Sequence, residues 1–253
     1  MNDFLDACEN GNINIVKRLL SQIDPSAQNN EAIICAAANG HKDVVELLLR
    51  DSRVDPSSQD NVPIRYAAYN GHKNVIEILL KDPRVNPSIL DNWAIIRAAE
   101  NGHRHVIELL LGDSRVNPSA CNNQAIRLAA KNGHKDVVEL LLKDPRVDPS
   151  VQDNYAIKWA AEKGCRNVVD ILLQDHRVDP SAQNNYAIKL ASYNGHIKVI
   201  KLLLKDPRVD PSAEDNYAIR LAAKYGHKNV VELLEQQQYK IDNIRYNEMA
   251  KLK

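Results

Sequence analysis

Six histidines, His41, His72, His103, His134, His196 and His227, share one phase of a 31-residue spacing. Regularly placed imidazoles raise the question of a metal. Zinc needs its nitrogen ligands at ~2.0–2.1 Å, whereas equivalent residues on stacked helices sit ~8–10 Å apart. Histidines repeated in this way cannot share one ion, so a structural role is expected and no metal. Asp51, Asp82, Asp113, Asp144, Asp175 and Asp206 each stand two places before an arginine: Arg53, Arg84, Arg115, Arg146, Arg177 and Arg208. With an acid beside every guanidinium, a ladder joining successive units is favoured over an anion-binding stripe, and exposed rungs stabilise only modestly. No nucleophile–base pair, Gly-rich phosphate loop or His-Glu motif occurs. The chain is therefore expected to be non-enzymatic and to need no cofactor.

These residues belong to a larger repeat. Glycine returns every 31 residues at Gly40, Gly71, Gly102, Gly133, Gly164, Gly195 and Gly226, and a period of this size marks a stacked array. Asp148 to Val178 serves as the specimen. Asp148-Pro-Ser signals a turn. Asn154 follows, and the equivalents Asn30, Asn61, Asn92, Asn123, Asn185 and Asn216 never vary, which predicts a helix N-cap. Ile157, Ala160 and Ala161 give a first helix with a small face that a neighbour can approach closely. Gly164 ends it, as a left-handed residue is cheapest as glycine. The second helix is expected from about Asn167, with Val168, Val169, Ile171, Leu172 and Leu173. Asp or Asn three places before an acid, as in Asp43 with Glu46, reads as a capping box. So few apolar side chains cannot offset the ordering entropy of one unit, so each unit must stack on its neighbours.

Lysine plus arginine equals aspartate plus glutamate, 33 each, which gives no basic excess of the kind a generic nucleic-acid binder carries. Cys8, Cys35, Cys121 and Cys165 are scattered without a Cys-x-x-Cys pair, as in a reducing compartment. The start, Met1-Asn-Asp-Phe-Leu-Asp, has no basic or long apolar segment, and apolar runs are too short for a membrane span. An intracellular, cytoplasmic monomer is expected.

Val62-Pro-Ile-Arg-Tyr-Ala-Ala-Tyr-Asn-Gly-His72 followed by Val75-Ile-Glu-Ile-Leu-Leu80 resembles the ankyrin repeat. The resemblance covers residues 3 to 235. It implies an all-α solenoid of about eight stacked helix-turn-helix units, with histidines bonding across the inter-helix loop and between units. The period of 31 rather than about 33 predicts shortened inter-unit loops. The Asp-Pro-Arg-Val-Asp-Pro-Ser phrase is similar to a variant of giant DNA viruses of amoebae and some protists, which implies a host-interaction factor in host cytoplasm. The expected organisation is an array over 1–235: a capping unit at 1–23, six repeats at 24–209 and a last repeat at 210–235. Asp6 and Arg18 replace apolar residues in the first unit, as an end cap requires. Residues 236–253 are expected to form a cap helix or a tail, with Ile241, Ile244, Met249 and Leu252 as candidate cap contacts.

Function is expected where the units differ. Directly after the asparagine stand Trp93, Tyr155, Tyr186 and Tyr217 in four units. Three places on stand Arg65, Arg127, Lys158, Lys189 and Arg220, and four further on Tyr69, Glu100, Lys131, Glu162, Tyr193 and Lys224. The latter two series share a helix face, which the resemblance places in the concave groove. Trp, Tyr and Arg dominate binding hot spots, so a protein partner with acidic and apolar segments is expected. Nucleic-acid or acidic-polymer binding along the Arg/Lys column, and an architectural role without a dedicated partner, are the alternatives.

Overall fold

The computed structural model describes residues 2–251, with side chains through Asn243. Sixteen α-helices and no β-strand occur among the described residues. In chain order they are α1 (Asn2–Glu9), α2 (Ile13–Leu19), α3 (Ala27–Ala38), α4 (Lys42–Leu49), α5 (Ser58–Tyr69), α6 (Lys73–Leu79), α7 (Ile89–Glu100) and α8 (Arg104–Leu111). There follow α9 (Ala120–Lys131), α10 (Lys135–Leu142), α11 (Val151–Glu162), α12 (Arg166–Leu172), α13 (Ala182–Tyr193), α14 (Ile197–Leu203), α15 (Ala213–Lys224) and α16 (Lys228–Lys251).

The chain forms two compact bodies, residues 1–125 with 143–147, and 126–142 with 148–253. In the first, α1, α3, α5 and α7 pack in succession as one layer, and α2, α4, α6 and α8 as a second. In the other body, α11, α13 and α15 form the first kind of layer, and α10, α12, α14 and α16 the other. Small side chains make the first layer close: Ile157, Ala160 and Ala161 are fully buried, as are Ile64, Ala67 and Ala68. In the second layer Val75, Ile76 and Leu79 close the repeat against its neighbours.

The invariant asparagine is not an N-cap. Gln28, Asn29 and Asn30 have φ of 54°, 57° and 65°, and the same left-handed triplet recurs at 59–61, 90–92, 121–123, 152–154, 183–185 and 214–216. An N-cap has extended backbone and folds its side chain over its own helix. Left-handed backbone swings the side chain onto the next repeat instead. Asn30 Oδ1 accepts the Asp55 N–H at 2.7 Å and Asn61 Oδ1 the Asn86 N–H at 2.7 Å. Asn92, Asn154 and Asn185 do the same toward Asn117, Asp179 and Asp210 at 2.6–2.7 Å. Each accepted amide opens an Asp-Pro-Ser or Asn-Pro-Ser turn, where Asp55 Oδ1 in turn accepts the Ser57 N–H at 2.9 Å and its hydroxyl at 2.6 Å. Left-handed non-glycine residues cost about 1–2 kcal/mol each, and these bonds between repeats hold them in place.

The expected capping box is also not formed at α4, α6, α8, α12 and α14. The even-numbered helices begin one or two residues earlier than the sequence predicts, with His41, His72, His103, Cys165 and His196 at the cap position and no side-chain cap bond there. Asp43 therefore lies inside the first turn of α4. At the start of α2, by contrast, Asn12 stands in the histidine position and its side chain accepts the Ile15 N–H.

The histidines bond to the preceding repeat, as the resemblance implies. His41, His72, His103, His196 and His227 place Nε2 2.7–2.9 Å from the carbonyls of Glu9, Ala38, Tyr69, Glu162 and Tyr193. No cluster able to hold a metal occurs among the described residues.

The Asp–Arg pairs differ from the expected ladder. Each ion pair lies within one repeat, as between Arg84 and Asp82 at 2.7 Å or Arg115 and Asp113 at 2.6 Å. Two residues of separation suffice for a two-pronged contact, so the carboxylate never reaches its neighbour. The second guanidinium nitrogen makes the rung: Arg84, Arg115, Arg146 and Arg208 donate to the carbonyls of Val54, Val85, Val116 and Val178 at 2.7–3.0 Å.

Helix α16 does not stop at Gln236, where the repeat pattern breaks, and runs through Lys251 as one helix. Ile241 is half-buried on it. The side chains of Ile244 and Met249, and Leu252 altogether, lie outside the described residues.

Candidate functional site

The expected site residues lie on the odd-numbered helices, directly after the left-handed turns. In the first body they gather around Trp93. Its half-buried ring is met by the Arg65 guanidinium at 5.0 Å and the Arg97 guanidinium at 5.6 Å. Tyr69 lies 6.1 Å and Tyr66 6.3 Å from it, centroid to centroid. Arg97 is held by Glu100 at 2.6 Å. Arg65 also donates to the Gln59 and Asp60 carbonyls of its own left-handed turn, so one side chain both closes the turn and orients the indole.

The second body carries a longer series. Tyr155 and Trp159 stand 4.1 Å apart, one helical turn from each other. Lys131 Nζ lies 4.4 Å from the Trp159 ring and the Arg127 guanidinium 5.4 Å from Tyr155. With Asp153, Lys158, Glu162, Tyr186 and Leu190 these aromatics line an open trough of about 440 Å³. Farther along, Tyr217 sits between Lys189 at 5.7 Å and Arg220 at 5.4 Å. Tyr193 and Tyr225 meet edge to face at 4.3 Å, with Lys224 Nζ 5.5 Å from the Tyr225 ring. A hydrogen bond shared with Tyr225 pushes the Tyr193 phenol above its ordinary range.

The basic column does not project as the sequence suggests. Lys158 and Lys189 are only 5% and 4% exposed. Lys158 Nζ donates to Gln183 Oε1 at 2.8 Å, and Lys189 Nζ pairs with Glu214 Oε2 at 2.8 Å. Arg127 donates likewise to Gln152 Oε1, and Arg220 to the Asp215 and Glu214 carbonyls. Gln152, Gln183 and Glu214 all belong to left-handed turns, 25 residues beyond their partners. Positions three after the asparagine therefore fasten the turns. Burial pushes the Lys158 ammonium below the ordinary lysine range. Sequence spacing could not show this, because the turn that covers the lysines is left-handed and folds back over them.

The exposed members of the face are mainly aromatic: Tyr66, Tyr69, Tyr186, Tyr193, Tyr217 and Tyr225. Tyr66, Arg97, Trp159 and Tyr225 were missed from sequence, although a signal existed. Three of them stand five places after the asparagine, where Leu128, Leu190 and Leu221 mark the apolar norm, and Tyr225 replaces the asparagine usual before the glycine. No helix among the described residues is long and apolar enough to cross a membrane.

No curated protein matches the chain. A family model described as ankyrin repeats, in three copies, matches residues 4–91, 64–153, 95–184 and 157–247. Those spans cover nearly all of the helical pairs described above, and their histidine, glycine and alanine positions carry the contacts that join successive repeats; the chain belongs to the ankyrin-repeat family.

Proposed function

We propose that this chain is a non-enzymatic interaction scaffold that captures a protein partner on the aromatic face of its odd-numbered helices. Ankyrin repeats are generally protein-interaction scaffolds, and the observation that carries the reading here is the exposed tyrosine series with cations held against its rings. Aromatic side chains offer large contact area at small entropic cost, and their faces take up cation–π contacts. The trough lined by Tyr155, Trp159 and Tyr186 fits an extended segment with apolar side chains. Lys131 and Lys224 along the odd-numbered helices favour acidic residues beside them. The Asp-Pro-Arg-Val-Asp-Pro-Ser phrase supports the narrower reading of a viral host-interaction factor.

Replacing Trp93, Tyr155, Tyr186 and Tyr217 together by alanine tests the proposal. The variant is expected to lose the proteins that the parent captures from cells while keeping its helical circular dichroism. Capture of the same proteins at the same yield would overturn it.

A further inference from the structure

We infer that the trough between α11 and α13 takes up a glutamate or aspartate side chain of the partner segment, whose carboxylate pairs with Lys158 beside the rings of Tyr155, Trp159 and Tyr186. This rests on the scaffold reading above and names the residue type that anchors the partner. A buried ammonium is costly unless an opposite charge meets it. Two successive repeats treat the same position differently. Lys189 pairs with the Glu214 carboxylate at 2.8 Å. Lys158, one repeat earlier and only 5% exposed, meets uncharged oxygens: Gln183 Oε1 at 2.8 Å and the Gln152 carbonyl at 3.4 Å. Gln183 and Glu214 hold the same place in their left-handed turns. One residue therefore decides whether the ion pair closes inside the chain or stays open to a partner.

The surroundings of Lys158 suit an incoming carboxylate. Its Nζ lies 5.4 Å from the Tyr155 ring and 5.9 Å from the Tyr186 ring. Its side chain lines the trough of about 440 Å³, a size common among ligand sites. Of the two acids on the lining, Glu162 pairs with Lys163 at 3.3 Å. The exposed Asp153 accepts Gln183 Nε2 at 2.7 Å, which leaves the amide oxygen turned toward Lys158. Lys131 adds a further cation, 4.4 Å from the Trp159 ring. Lys131, Lys158 and Lys163 thus face Asp153 and Glu162, and one more carboxylate balances them. Burial lowers the pKa of Lys158 more than Asp153 raises it, and a carboxylate against the ammonium reverses that cost. The apolar faces of the rings lower the local dielectric, which strengthens a charge-assisted bond.

A library of random peptides displayed on phage, selected on the whole chain, supplies the probe. The selected peptides are expected to share one acidic residue between apolar neighbours. A synthetic copy with that acid changed to its amide should bind about tenfold more weakly, read by fluorescence anisotropy. Gln183→Glu gives Lys158 the carboxylate that Glu214 gives Lys189, at an exposed turn position whose counterpart already carries glutamate. It should weaken the peptide about tenfold with unchanged circular dichroism and melting, which keeps the test valid should Lys158→Met, expected to weaken it likewise, fold poorly. Selected peptides without a shared acid, equal affinity for the parent and Gln183→Glu, or displacement of the peptide by an equal concentration of single-stranded RNA would each overturn the inference. After either of the first two results the scaffold reading still stands, provided that the variant lacking the four aromatics loses the peptides. A parent that selects no peptide overturns both.

Discussion

At Gly71 the backbone is left-handed (φ 81°), and a Cβ there would lie 2.5 Å from the Nδ1 of His103. Two separate reasons thus require glycine, and they can be measured apart. Gly226 shares the conformation (φ 77°) but has no imidazole above it. Gly226→Ala should cost about 1–2 kcal/mol from the backbone alone. Gly71→Ala should cost about 2–4 kcal/mol, since overpacking is added. Urea denaturation of both gives the difference, and equal losses would show that the ring moves aside freely. Cys165 offers the converse experiment. It stands where other repeats have histidine, with Sγ 3.8 Å from the Lys131 carbonyl. Cys165→His should replace that long, weak thiol bond with the imidazole bond of the other repeats and stabilise the protein by about 1 kcal/mol, read as a higher denaturation midpoint.

Between repeats, the Asp-x-Arg-Val segment joins three partners: its own carboxylate, its own guanidinium and a carbonyl of the preceding repeat. Hydrogen bonds from Arg53, first from its side chain and then from its backbone N–H, hold the Asp51 carboxyl down at about 2. Side-chain bonds from their arginines lower Asp82, Asp113, Asp144, Asp175 and Asp206 in the same direction. In the unfolded chain these groups titrate near ~3.9. A carboxyl depressed by folding stabilises the folded state above its unfolded value, and that stabilisation is lost as pH falls through the folded value. Stability should therefore be level near neutrality and fall between about pH 4 and pH 2. Arg84→Ala, which frees one carboxylate, should flatten that fall in a series of urea melts against pH. Helix packing gives a second contrast. Ala160 is fully buried, and Ala160→Glu should unfold the neighbouring repeats, whereas Glu162→Ala removes only a contact to Lys163 and should leave the melting temperature nearly unchanged.

For the whole molecule, stability and recognition are divided between two sets of positions. Residues that repeat with little or no change form the contacts between repeats: the asparagine of each turn, the Ala-Ala pair (Ala-Ser at 191–192), the glycine, most of the histidines and the arginines. Residues that differ from repeat to repeat, such as Trp93 in the first body and Tyr155, Trp159 and Tyr217 in the second, stand on the odd-numbered helices away from those contacts. Removing four aromatics there should consequently abolish capture without lowering the melting temperature by more than a few degrees, a combination that thermal unfolding and affinity capture measure on the same sample. A large drop in melting temperature would mean that these rings belong to the packing.

The sequence by itself determined the period, the all-helical class, the small buried face of Ile157, Ala160 and Ala161, and the family. All of these follow from spacing and residue type, which survive from one repeat to the next. The tertiary structure decided where the polar side chains reach. Asn154 was legible as an invariant acceptor, but its target, the Asp179 amide, lies 25 residues away. That distance closes only because three successive left-handed residues turn the chain back. The same turn covers Lys158 and Lys189, which one-dimensional spacing places in the open. A left-handed triplet of non-glycine residues costs energy locally and is held by its neighbours, so no local pattern announces it, and the contacts that depend on it appear only when the repeats are stacked.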